Sequence, residues 1–132
     1  MSGAAAVAIR VDPYPAAETF AALMQAAWGT AWTGEPAAIW SRSLAHLGAY
    51  VGERLVGYVN IAWDGGVHAF LLDTTVHPEF QRRGIATALV RAAADEARRR
   101  GATCLHVDYE PHLAGFYRGC GFRPTMAGLI RL

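Results

Sequence analysis

Apolar residues along this chain follow two rhythms, one of period two and one of period near 3.6, and each change of rhythm marks an element. Residues 6–11, Ala-Val-Ala-Ile-Arg-Val, alternate as a first strand that Asp12 and Pro13 end. Pro15 falls where a first helical turn tolerates it, and Phe20, Leu23, Met24, Ala27 and Trp28 then make a helical stripe. After a break over 29–34, Glu35 and Pro36 restart a helix whose face carries Ile39, Trp40, Leu44 and Leu47, with Gly48 as its stop. These aromatics read as core, whereas Trp32 lies in the break and could instead wall a pocket. Runs at 49–52 and 55–63 flank the Glu53-Arg54 turn as a hairpin, and Asp64-Gly65-Gly66 signals a second one. The next strand, 67–76, ends in Thr74, Thr75 and Val76, before Pro78, which has no N–H to donate to a sheet.

From Ile85 the period becomes helical again, with Ile85, Ala88, Leu89, Ala92, Ala93 and Ala97 on one stripe and Gly101 where a left-handed cap belongs. The strand that follows, 103–109, should run parallel to the previous one because a helix intervenes. Along it His106, Asp108 and Glu110 share one face, and Leu105, Val107 and Tyr109 face the core. Pro111 opens a short helix with Leu113, Phe116, Tyr117 and Cys120, capped by Gly121. Residues 122–132 are left to supply the closing strands. Their apolar end, Leu129-Ile130-Arg131-Leu132, is an edge that favours a homodimer over a monomer. A meander followed by a crossover helix predicts an α/β (α+β) fold with a mixed sheet, in one domain over 1–132.

Composition narrows the function. With 132 residues, 53% of them hydrophobic, the chain can build a real core. A net charge of +1 argues against a dedicated nucleic-acid or anionic-membrane surface. No apolar run approaches the ~20 residues of a membrane span. Met1-Ser2-Gly3 and the alanines after them lack the basic start of a signal peptide, so a cytoplasmic location is the default expectation. Cys104 and Cys120 read as small buried apolar residues, with a disulfide left open. His46, His68, His77, His106 and His112 show no His-x-x-x-His pair and no cysteine at zinc spacing, so no metal site is expected. Arg98, Arg99 and Arg100 read as decoration of a negative helix end.

Chemistry concentrates at 81–87, Gln-Arg-Arg-Gly-Ile-Ala-Thr, between the strand and the long helix. A helix start leaves backbone N–H groups unpaired and carries about half a positive charge. Gly84 and Ala86 allow an anion close to the backbone, and Arg82 and Arg83 add cations, so the turn reads as a phosphate cradle. It has neither the Gly-Lys-Ser/Thr of a nucleotide P-loop nor the Gly-x-Gly-x-x-Gly of a dinucleotide fold.

The Gln-x-x-Gly-x-Ala pattern following Val-His-Pro-Glu-Phe at 76–80 resembles the pyrophosphate loop of the GNAT acetyltransferase superfamily. Residues 108–122 are similar to its second signature, Asn-x-x-Ala-x-x-x-Tyr-x-x-x-Gly-Phe. Glu110 stands in the asparagine slot, Tyr117, Gly121 and Phe122 match, and Leu113 lies near the small-residue position. The resemblance covers 48–123. It implies a mixed sheet of roughly six or seven strands with about four helices. It further implies acetyl-CoA wedged where the fourth and fifth strands splay, its pyrophosphate on Gln81, Arg82, Arg83, Gly84, Ile85, Ala86 and Thr87. The backbone of Thr74, Thr75 and Val76 would pair with the pantetheine arm like an added strand. Ala86 departs from the pattern's last glycine, and Glu110, which cannot donate an amide hydrogen bond when ionised, departs from its asparagine.

The implied reaction is direct attack of an amine, on a small molecule or a peptide N-terminus, on the thioester. Tyr117 would be the general acid, because a phenol stays protonated at neutral pH and can donate to a departing thiolate. For the base, Asp108 leads and His106 follows, since ionisable groups on a central strand are too costly to bury unpaired and their face should open into the acceptor cleft. Neither cysteine shows the activation a nucleophile needs. Two other classes stay open: a non-catalytic acyl-CoA-binding sensor, and a dimerisation module with a structural ligand.

Overall fold

In the computed structural model, which describes residues 6–30 and 32–132, the sheet is built outward from one long hairpin. The start at 1–3, read above for a leader, lies outside the described residues. β2 (Ser43–Val51) and β3 (Arg54–Trp63) pair antiparallel through a turn in which Gly52 takes a φ of +59°. β1 (Val7–Val11) adds to β2 and β4 (His68–Val76) to β3, both antiparallel. α1 (Ala17–Trp28) and α2 (Pro36–Trp40) connect β1 to β2. α3 (Ile85–Arg99) carries the chain across to β5 (Cys104–His106), which therefore lies parallel to β4. α4 (Ala114–Gly119) follows. The result is a five-stranded mixed sheet in the order β1-β2-β3-β4-β5 with four helices.

β2 and β3 are buried along most of their length because packed side chains cover both faces. On one face Ile85, Leu89, Val90, Ala93 and Ala97 of α3 gather with Leu47, Ala49, Val59, Ile61, Ala69 and Leu71. Gly57 makes that approach possible, since a Cβ there would stand 2.9 Å from Leu89 Cδ1. On the other face Phe20, Leu23, Met24 and Trp40 pack with Tyr50, Leu55 and Tyr58. Trp32 is half-buried and packs against this second core, edge-on to Phe20 at 5.1 Å.

Several expectations are corrected. Among the described residues the sheet has five strands rather than six or seven, because no strand forms over 122–132. Pro124, which has no N–H to donate to a ladder, and Gly128 punctuate that segment. The helix expected to reach Leu47 stops at Trp40, and beyond it Ser43 Oγ lies within hydrogen-bond distance of both Ile39 O, at 3.0 Å, and Asn60 Oδ1, at 2.6 Å. Leu44 and Leu47 lie instead in β2. β5 ends at His106 rather than at 109, although Val107 and Tyr109 still pack against the core. Cys104 is exposed and Cys120 half-buried, and both are free thiols. On α3 the buried stripe is rotated: Ala88 is exposed, while Val90 and Glu96 are buried. Among the described residues no helix is long and apolar enough to cross a membrane.

Arg100, too, is structural rather than decorative. Its guanidinium donates to Glu96 Oε2 at 2.7 Å, Leu44 O at 2.6 Å and Asp12 Oδ2 at 2.9 Å. Glu96, 5% exposed, also takes Arg99, so its burial is paired. Asp12 Oδ1 accepts the His46 backbone N–H at 3.0 Å and lies 3.3 Å from His46 Nδ1. His46 Nε2 accepts the Tyr14 N–H at 3.0 Å, which places the ring proton on Nδ1, toward Asp12. The imidazole lies flat on Trp40, ring centroids 4.4 Å apart. Burial outweighs the nearby Asp12 charge and lowers the His46 pKa from 6.5 to about 4. This network locks the end of α3 to the first two strands.

Candidate functional site

The site begins with a fault in β4. Tyr58 pairs with Thr75 but Asn60 with Leu72, so β4 carries one extra residue against β3. Asp73 sits in that bulge with a φ of +58°, in the left-handed region that a non-glycine residue rarely adopts. On the other side β5 pairs with β4 only from His68 to Phe70. Beyond that point the two strands part, and Thr74 to Val76 face the gap. Thr75 is fixed from behind, its hydroxyl donating to Asp73 O at 2.8 Å and accepting the Trp28 indole N–H at 3.1 Å.

Pro78–Phe80 then make a single 3-10 turn, its first N–H groups met by His77, whose Nδ1 accepts the Glu79 N–H at 3.1 Å. Arg82 and Gly84 both turn left-handed, at φ +63° and +79°, curling the backbone into the start of α3. Gly84 is the helix N-cap and has no side chain to engage the first N–H groups. A Cβ at Gly84 would meet nothing within 4 Å, so the space before the helix is open.

These pieces enclose a cleft of about 450 Å³. Thr74 and Val76 form its floor, Gln81, Arg82, Gly84, Ile85, Ala86 and Thr87 one wall, and Leu113, Phe116 and Tyr117 the other. Tyr117 is 6% exposed. Its ring stacks on Tyr109 at 4.8 Å and meets Phe116 and Phe122 edge-on at 4.9 and 5.7 Å.

The remaining expected residues lie elsewhere. Thr75 points back to Trp28. Arg83 lays its guanidinium over Phe80, 4.9 Å from the ring centre. Glu110 is exposed, before the Pro111–Leu113 turn. Asp108 is exposed on the segment after β5. His106 is engaged at the closed end of the strand pair, 3.0 Å from His68 and stacked on Phe70. His68, Cys104 and His106 converge there across two strands, a grouping that linear spacing could not reveal. Burial pushes the Cys120 thiol up, opposed by Arg91, which leaves it a poor nucleophile.

Asp73 is the residue the sequence reading missed. Partial desolvation by its neighbours raises its carboxyl above the ordinary value although the residue as a whole is exposed, and its charge in turn opposes ionisation of Tyr58. Its strained backbone and raised pKa, next to the cleft residue Thr74, make Asp73 a candidate functional carboxylate. The only signal in the sequence was an aspartate inside an apolar strand.

An α+β fold whose strands part over an open helix start makes a gap suited to an anionic ligand. The chain belongs to the acetyltransferase (GNAT) family, whose model matches residues 9–122. An uncharacterized N-acetyltransferase of Porphyra purpurea is 30% identical over 69 residues, 52% of this chain and 40% of that protein. The mycothiol acetyltransferase of Mycobacterium ulcerans is 48% identical over 42 residues, 32% of this chain and 13% of that protein. The matched stretches thus span less than half of either relative. A GNAT-family acetyltransferase of Streptococcus pneumoniae superposes with a TM-score of 0.77 at 27% identity, covering 96% of this chain and 98% of that one. AAC(6')-Iy, solved with the bisubstrate analogue CoA-S-monomethyl-acetylneamine, gives 0.75 at 19% identity, covering 96% and 97%. At that identity the second likeness concerns the fold alone.

Proposed function

We propose that the protein transfers an acetyl group from acetyl-CoA to an amine. The observation that carries this reading is the cleft itself, which joins an uncapped helix start, an unpaired strand edge and a tyrosine. The residues fit such a co-substrate: the space before Gly84 is open, and no side chain competes for the first N–H groups of α3. Acetyl-CoA, when bound, supplies a thioester that is already activated, so no covalent enzyme intermediate is required.

The work of each residue follows. The N–H groups from Gly84 to Thr87, with Arg82 beside them, would hold the pyrophosphate. The backbone of Thr74 and Val76 would pair with the pantetheine arm as an added strand. Tyr117 would donate its hydroxyl hydrogen to the sulfur as the carbon–sulfur bond breaks and the new carbon–nitrogen bond forms. Asp73 would accept the proton that the amine sheds, directly or through water, with Asp108 as the alternative base. The acceptor would approach over the bulge, past exposed Trp28 and Leu72, which suits a small or partly apolar amine.

Thiol release from acetyl-CoA, followed over a panel of amines, tests the activity. Turnover with at least one amine is the expected result. Tight acetyl-CoA binding without turnover on any amine would favour the non-catalytic sensor instead.

A second copy of the chain is the proposed macromolecular partner. Met126, Leu129 and Ile130 are 79–100% exposed on the apolar tail, and a second copy could cover them.

A further inference from the structure

His68, Cys104 and His106 stand on one open face of the sheet, at the closed end of the β4–β5 pair. Cys104 and His106 are two apart on β5, so a strand's alternation puts them on the same side. His68 joins them from β4, directly opposite Cys104 in the parallel register. Thr103 and Cys104 both donate backbone N–H groups to Val67 O, at 2.9 and 3.2 Å, which fixes that register.

The ligand atoms of the three side chains all lie within 4.8 Å of one another. His68 Nδ1 and His106 Nε2 are 3.0 Å apart. Tetrahedral zinc with metal–nitrogen bonds of ~2.0–2.1 Å holds two imidazole nitrogens about 3.3 Å apart, so the pair needs to open by only a few tenths of an ångström. The His106 ring is oriented by its surroundings, and the His68 backbone is tied down beside it. His106 lies against Phe70, 4.7 Å between centroids and 18° between planes. The His68 backbone N–H reaches Asp64 Oδ1 at 3.4 Å, and the same oxygen accepts the Gly66 N–H at 2.7 Å. None of the three lines the cleft, and all three are exposed, so neither acetyl transfer nor the core accounts for them.

We propose that His68, Cys104 and His106 form a binding site for a thiophilic transition-metal ion of the zinc class. One thiolate and two imidazoles are soft to borderline donors, which select such ions over magnesium or calcium. Three protein ligands leave a fourth position for water. The ion would clasp β4 to β5 where only three residue pairs join them, and so brace the closed end of the gap that opens toward the cleft.

The test uses the full chain, untagged and stripped with chelator. Zinc is titrated calorimetrically, and cobalt(II) by absorption. The expected result is one ion per chain, tetrahedral d–d bands from cobalt and a thiolate-to-cobalt charge-transfer band. Cys104→Ser should abolish the charge-transfer band, and both it and His68→Asn should weaken zinc at least tenfold. His112→Asn, at an exposed histidine outside the cluster, should bind as wild type does. Circular dichroism and acetyl-CoA affinity report whether each variant is folded. Absence of stoichiometric zinc uptake by the wild type would overturn the proposal, as would uptake that survives both substitutions.

Discussion

Tyr117 has its ring clamped by three aromatic neighbours, so removing its oxygen alone should leave the packing intact. Tyr117→Phe is therefore expected to lower kcat by ~10²-fold while acetyl-CoA affinity stays nearly unchanged. A kcat within about twofold of wild type would make it a packing residue only. For the base, the pH dependence decides. Because burial raises the Asp73 pKa and a base must be deprotonated, the acid limb of kcat/KM should sit above the ordinary carboxylate range. Asp73→Asn should remove that limb and Asp108→Asn should leave it; the reverse outcome assigns the role to Asp108. His46 gives a stability prediction of definite sign. Its folded pKa is depressed, so between 6.5 and about 4 the unfolded chain binds more protons and acid favours unfolding. Stability should fall across that window by on the order of 3 kcal/mol at most, and His46→Gln should flatten the fall in urea titrations. An unchanged slope would remove His46 from the account.

At the scale of elements, legibility followed the uniqueness of the pattern. α3 and the turn before it were readable because a glycine, a change of period and a long stripe coincide over 81–101. β2 was misread because Leu44 and Leu47 are three apart, which satisfies a helix stripe as well as a strand buried on both faces. The Asp73 bulge was invisible because an extra residue in β4 has meaning only against its partner β3. The same holds for Arg100, whose partner Asp12 is 88 residues away. Packing of α3 is the firmest element-scale claim. Leu89 is fully buried against the sheet, so Leu89→Ala should cost about 2–5 kcal/mol, measured by chemical denaturation. A loss below that range would mean that α3 packs less tightly than described.

At the scale of the molecule, the proposed function divides the sheet between two tasks: α3 and the cleft would take the anionic end of the co-substrate, and the α1 side with its bulge would take the acceptor. The glycine turn that motivates the first is visible in the sequence. The second is not, because Trp28 lies 44 residues before Leu72 and only the fold brings α1 to the bulge at Asp73. The exposed tail carries the prediction of a dimer, and a monomeric mass by light scattering at micromolar concentration would refute it. The central claim is that the turn at Gly84 receives acetyl-CoA, and calorimetric titration of wild type against Gly84→Val tests it most directly. The wild type should bind one equivalent. The variant, if folded by circular dichroism, should bind at least tenfold more weakly, about 1.4 kcal/mol, because a β-branched side chain disfavours the φ of +79° and fills the space before the helix. Equal affinity in a folded variant, or no binding by the wild type, would contradict the account.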